Sequence, residues 1–193
     1  MNKQCARLGL KASLFDSPHG LMNCNSRSTA FDVAKLSAKC LEDKRFREVV
    51  NTRYFVVPKR DSNSKSYRWE NTHKMHGQKG VIPIKTGITN SAGPCLCTAV
   101  ELETHASLII VLLCSKDMDS RWLETSKLAK WATDRLIKIK QYKNSCEMPA
   151  QENRILQRLK HLWLLFNFNY VSKAVWWQGL AQVCFVLRVG PRN

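Results

Sequence analysis

Val81-Ile82-Pro83-Ile84-Lys85-Thr86-Gly87 is the stretch on which the fold turns. It reads as a strand, and the proline says which kind. Pro83 has no N–H to give to a ladder, so the strand belongs at the edge of a sheet. Working outward, residues 95–102 alternate in character and predict a second strand. Residues 108–114, Leu-Ile-Ile-Val-Leu-Leu-Cys, are apolar throughout, as a central strand covered on both faces would be. Glu103 to Ala106 leave room for a hairpin between these two.

Helical spacing flanks the strands. Residues 29–50 read as one helix, opened by Thr29 with Asp32 in a capping arrangement. Val33, Leu36, Cys40 and Leu41 would form its apolar stripe. Residues 120–139 read as a second helix, with Trp122, Ala129, Ala132, Leu136 and Ile139 on one face. Thr52 to Val57 favour a strand that Pro58 stops, and residues 59–66 are polar and loop-like. Residues 8–27 are also loop-like, with His19 expected as a turn residue. The order predicts an α+β layer, an antiparallel sheet packed with helices. Beyond it, residues 140–160 are polar and basic, and residues 162–187 are apolar and aromatic. Asn167, Asn169, Lys173 and Gln178 interrupt that second run, which argues against a membrane-spanning helix. An interfacial segment and a stretch with no folded role both remain open.

The 193 residues match one domain in length, and 44% hydrophobic with 24% charged residues is a globular composition. A net charge of +16 favours anionic partners. That charge is spread along the chain, and no zinc-finger, leucine-zipper or RNA-binding pattern accompanies it, so a nucleic-acid role would rest on bulk charge alone. The eight cysteines form no C-x-x-C pair and have no histidine at zinc spacing. They are expected to be reduced, buried thiols, with Cys95 and Cys97 on the same face of a strand. Neither a metal nor a cofactor is expected. Met1 to Arg7 carry no apolar core of a signal peptide.

Several blocks in order carry a resemblance. Pro18-His19-Gly20-Leu21 precedes Ser28-Thr29-Ala30 at a helix start. Gly77-Gln78-Lys79-Gly80, Ile84-Lys85-Thr86-Gly87-Ile88-Thr89 and Ala92-Gly93-Pro94-Cys95-Leu96 follow, then Met118-Asp119-Ser120-Arg121-Trp122. Over roughly residues 1–135 the chain resembles the serine-type D-Ala-D-Ala carboxypeptidases, the low-molecular-mass penicillin-binding proteins. The resemblance implies a partial β-lactamase/transpeptidase-like fold over residues 1–139, with 140–193 a tail that need not fold with it. It implies an extended peptide ending in D-Ala-D-Ala as ligand, taken up along the edge strand. Lys85 would bring positive charge to the peptide's carboxylate, and Thr86 would donate its hydroxyl. Gly87 would admit the peptide backbone, and the Ile88 N–H would form half of an oxyanion hole.

The family's nucleophile lies in a Ser-x-x-Lys motif, assisted by Ser-x-Asn, both before the Pro-His-Gly-Leu block. Only Met1 to Ser17 precede that block here, and no Ser-x-Asn occurs. Ser62-Asn63-Ser64-Lys65 has the spacing but the wrong order, in a polar loop, and is set aside. The expectation is the C-terminal part of a catalytic domain, inactive by itself, whose partner is a missing N-terminal half. That half would supply the sheet's opening strands, so residues 108–114 are expected to show an uncovered edge and face. The family works outside the cytoplasm or at its membrane. A non-catalytic peptide-binding module and a basic nucleic-acid or membrane-surface protein remain the alternatives.

Overall fold

A computed structural model of the protein describes residues 1–21, 23–59, 61, 65–103, 107–145, 172–176 and 183–189. Four helices are described: α1 (Asn2–Arg7), α2 (Ala30–Cys40), α3 (Lys44–Val50) and α4 (Ser120–Ser145). The strands are β1 (Tyr54–Val57), β2 (Tyr67–Glu70), β3 (Val81–Thr89), β4 (Gly93–Glu101), β5 (Ser107–Leu113), β6 (Ser172–Trp176) and β7 (Val183–Val189). Strands β3-β4-β5-β7-β6 form one five-stranded sheet, and β1-β2 a separate two-stranded one. Every pairing is antiparallel. Among the described residues no helix is long and apolar enough to cross a membrane.

The apolar run of β5 explains the layering. Side chains alternate across a strand, so Ile109 and Val111 turn to one face and Leu108, Ile110 and Leu112 to the other. All five are 0–1% exposed. Ile109 and Val111 pack with Ile82, Cys97, Ala99 and residues of α2. Leu112 packs with Leu96, Met75 and Trp122, while Leu108 and Ile110 pack with Ala132. Helix α4 thus covers one face and α2 the other. The expected uncovered edge and face of this strand are absent. Its faces are filled by the two helices, and β7 pairs along its far edge from Ser107↔Val189 to Leu113↔Val183. The apolar character of residues 183–187 is that of a strand laid against this edge. The remainder of the 162–187 stretch, apart from β6, lies outside the described residues.

The single helix expected over 29–50 is two. Thr29 caps α2, its Oγ1 accepting from the Asp32 N–H at 3.2 Å. Asp43 starts a new helix, its carboxylate accepting from the Phe46 N–H at 3.1 Å. The buried stripe of α2 also differs from expectation. Ala30, Ala34, Ser37, Ala38 and Leu41 are buried, while Val33 packs at the margin and Leu36 is half-buried. Small residues bring the helix axis close to the sheet, which leaves the bulkier ones at the flanks. The Ser37 hydroxyl in that contact is partnered by Cys97 Sγ at 3.2 Å. On α4, Trp122 and Ala132 are buried, and Ala129 and Leu136 are partly buried, on the face the sequence marks. The Ile139 side chain lies outside the described residues.

Strand β2 was not legible as a strand. It pairs with β1 through Phe55↔Trp69 and Val57↔Tyr67. The rings of Phe55 and Trp69 stack at 6.2 Å between centroids. The hairpin stands off the main sheet, so both rings are exposed. Not all cysteines are buried either. Cys5 and Cys97 are, but Cys24 and Cys114 are exposed, and the six described thiols are free. Cys95 and Cys97 do share a face of β4, opposite Gly87 and Lys85 respectively.

Candidate functional site

Among the described residues strand β3 is the outermost strand of its sheet and pairs with β4 alone, as Pro83 requires. The register is not uniform. Pro83 faces Thr98 but Lys85 faces Cys97, so Ile84 is an extra residue in a bulge. One extra residue reverses the alternation beyond it. Before the bulge, Ile82 shares a face with Ala99 and α2. After it, Lys85 and Gly87 take that face, with Cys97 and Cys95 opposite, and Thr86 turns to the other. Without the bulge Lys85 and Thr86 would exchange sides.

The backbone of this strand end is open. The Pro94 carbonyl accepts from the Ser115 N–H at 2.9 Å, on the β5 side. A residue's N–H and C=O leave an antiparallel strand on one side, so Pro94 makes no ladder bond to β3. Ile88, its opposite number, therefore turns its own N–H and C=O to the free edge, and by alternation Thr86 does too. The Thr86 carbonyl there accepts from Lys85 Nζ. Lys85 is exposed, and Ile88 is 56% exposed. At Gly87, a Cβ would meet no atom within 4 Å. Nothing inside the fold asks for glycine there.

Beside this edge lies a cleft of about 190 Å³ lined by Val50, Asn71, Thr72, His73, Pro83, Ile84, Lys85 and Thr86. His73 forms part of its floor. The His73 ring is buried, with Nε2 bonded to Thr98 Oγ1 at 2.8 Å and its centroid 5.1 Å from that of the Trp122 ring, edge to face. Burial, with the charges of His76 and Arg121 nearby, pulls His73 down from 6.5 to about 4, so it is neutral at pH 7.

Arg121 is the residue the sequence quoted without giving it a task. It stands in the first turn of α4 and is 5% exposed. Its Nη1 donates to the carbonyls of Gly87 at 3.3 Å and Cys95 at 3.2 Å. Its guanidinium lies 4.6 Å over the Trp122 ring. Among the described residues it meets no carboxylate, so a buried positive charge sits beneath the open strand end. Thr72 and His73 carry no motif at all and were missed. The turn reading of His19 holds, since its Nδ1 accepts from the Leu21 N–H at 3.0 Å. Of the Ser-x-x-Lys spacing at 62–65, Ser62, Asn63 and Ser64 lie outside the described residues.

A helix-covered antiparallel sheet thus carries Lys85-Thr86-Gly87 near the end of an open edge strand, above a buried arginine. Residues 1–116 match the family described as D-alanyl-D-alanine carboxypeptidase. The chain belongs to that family. It is 29% identical over 133 residues to the D-alanyl-D-alanine carboxypeptidase DacA of Haemophilus influenzae, covering 68% of this chain and 32% of that one. It is 28% identical over 135 residues to the D-alanyl-D-alanine carboxypeptidase of Streptomyces strain K15, covering 68% and 46%. The crystal structure of the Streptomyces K15 DD-transpeptidase superimposes with a TM-score of 0.63 at 26% identity, over 69% of this chain and 52% of that one. Penicillin-binding protein D2 of Listeria monocytogenes, in its cefotaxime-bound form, gives 0.57 at 25% identity, over 67% and 51%. The chain thus spans less than half the length of these curated relatives.

Proposed function

We propose that the protein recognises a peptide ending in D-Ala-D-Ala, binding it as an added strand along the free edge of β3. Main-chain groups of Thr86 and Ile88 would pair with the extended peptide. Lys85 and the Arg121 charge beneath the strand would attract its terminal carboxylate. Thr86 would donate to that carboxylate, and Gly87 leaves room for the ligand backbone. The Ile88 N–H, turned outward, is suited to an oxyanion. The observation that carries the reading is this outward-facing backbone on the free edge of β3, in a chain of this family. The proposal covers recognition. No residue of the 193 is assigned the attack on the peptide carbonyl. On the same reading the protein works outside the cytoplasm or at its membrane.

The test is a calorimetric titration with an N-acylated peptide ending in D-Ala-D-Ala. Saturable binding that weakens at least tenfold in Lys85→Ala is expected, since a charge-assisted contact is worth about 1.5–3 kcal/mol. Absence of saturable binding, or binding indifferent to Lys85, would overturn the assignment.

A further inference from the structure

Thr72 approaches the Lys-Thr-Gly strand from outside the sheet, with its Oγ1 2.8 Å from the Thr86 Oγ1. The contact is held from both sides. Asn71 donates from its N–H to the Arg53 carbonyl at 2.8 Å. Its side-chain amide donates to the carbonyls of Val50 at 3.0 Å and Thr52 at 3.2 Å. On the other side, the His73 N–H donates to Asn71 Oδ1 at 3.0 Å, and the His73 ring is bonded to Thr98 on β4. The backbone that carries Thr72 is therefore tied to the end of α3 and to the main sheet.

Proton counting gives the contact a direction. A hydroxyl has one proton and two acceptor lone pairs. If Thr86 spends its proton on Thr72, it has none for a carboxylate. For Thr86 to donate to a ligand, Thr72 must donate to Thr86. We propose that Thr72 is a positioning residue of the cleft: its donated proton fixes the Thr86 side chain and leaves the Thr86 proton to the ligand carboxylate. Hydroxyls chained in this way polarise each other, which strengthens the terminal bond. This inference deepens the peptide-binding reading and rests on it.

Two variants and two measurements test it. Thr72→Val keeps the shape without the proton, and Thr72→Ser keeps the proton. Three-bond NMR couplings report the χ1 of Thr86 in the ligand-free protein. Dissociation constants are measured for a D-Ala-D-Ala peptide with a free carboxylate and for its C-terminal amide. Wild type and Thr72→Ser should hold Thr86 in one rotamer, and Thr72→Val should show averaging. Thr72→Val should weaken the acid by about three- to tenfold, the worth of one neutral hydrogen bond, and leave the amide unchanged. An unmoved Thr86 rotamer with unchanged acid affinity overturns the proposal, as does equal weakening of both peptides. If wild type binds neither peptide, the peptide reading itself falls and takes the ligand role of Thr72 with it. Wild-type binding indifferent to Thr72 overturns only the inference.

Discussion

Acidification should loosen this fold through one imidazole. His73 is held neutral down to about pH 4 by burial and by the neighbouring charges of His76 and Arg121. In the unfolded chain it titrates near 6.5. Between those values the unfolded state binds a proton that the folded state refuses. Its neutral-state stabilisation is therefore intact above pH 6.5 and is lost as pH falls toward 4. A difference of about 2.5 pH units corresponds to about 3 kcal/mol at 1.36 kcal/mol per unit. The ring lines a cleft that water reaches, and screening there reduces the figure to about 1–2 kcal/mol. The assay is urea unfolding at pH 7.5 and pH 4.5, on wild type and on His73→Gln, which keeps a polar group for Thr98 but cannot titrate. Carboxylates and the other histidines contribute equally to both proteins. Wild type should therefore lose about 1–2 kcal/mol more than the variant over this interval. Equal losses would refute the reasoning and show that His73 protonates freely in the folded state.

Further outcomes follow from the same geometry. Gly87→Ala should leave the unfolding free energy from urea titration within about 0.5 kcal/mol of wild type, because a methyl meets no protein atom. It should nonetheless weaken D-Ala-D-Ala peptide binding about tenfold, as calorimetry would show. Arg121→Leu should remove both carbonyl contacts that tie Gly87 to Cys95. It should speed amide hydrogen exchange at Lys85 and Gly87, whose N–H groups face β4, more than in β5, which NMR can resolve. Thiol labelling at neutral pH should modify Cys24 and Cys114 quickly. Cys97, buried and pushed up to about 12, should react only on unfolding. Ending the chain after Ser145 would strip β7 from β5. Light scattering should then show aggregation through the bared edge.

How much of this was legible depended on whether one residue's chemistry decided the matter. Pro83 could be read because a missing donor is a local fact with a global consequence, and β3 is an edge strand accordingly. The run from Leu108 to Leu113 could be read because only a two-sided cover tolerates so many apolar residues in extended chain; Cys114, expected in the same strand, is exposed with φ 55° and ends it. The stripe on α2 could not. Hydrophobicity ranks Val33 and Leu36 above Ala34 and Ser37, but closeness of approach to the sheet selects small side chains, and that distance is set by the whole layer. Strand β2 was invisible for a related reason. Tyr67 to Glu70 bury nothing, so no alternation between core and solvent marks them; among the described residues their strand partner is β1.

The site shows the same division. Lys85, Thr86, Gly87 and Ile88 stood out because a motif names them, but the motif is silent on which way each one faces. That is decided by the bulge at Ile84, a property of the pairing between β3 and β4 and not of either strand alone. Pro83 lies opposite Thr98, whose N–H and C=O turn toward β5, so its missing N–H falls on the free edge and takes nothing from the β3–β4 ladder; the residue that marks the edge also sits where the register slips. Closing the bulge with Ile84 kept would pair Ile84 with Cys97, move Lys85 to the face now held by Thr86 and carry Thr86 away from Thr72. Deleting Ile84 instead leaves Pro83 opposite Thr98 and Lys85 opposite Cys97, with both faces unchanged, so peptide binding should survive the deletion and these cross-strand NMR contacts should be retained. Loss of binding with the pairing intact would mean that the bulge does more than set the faces of Lys85 and Thr86.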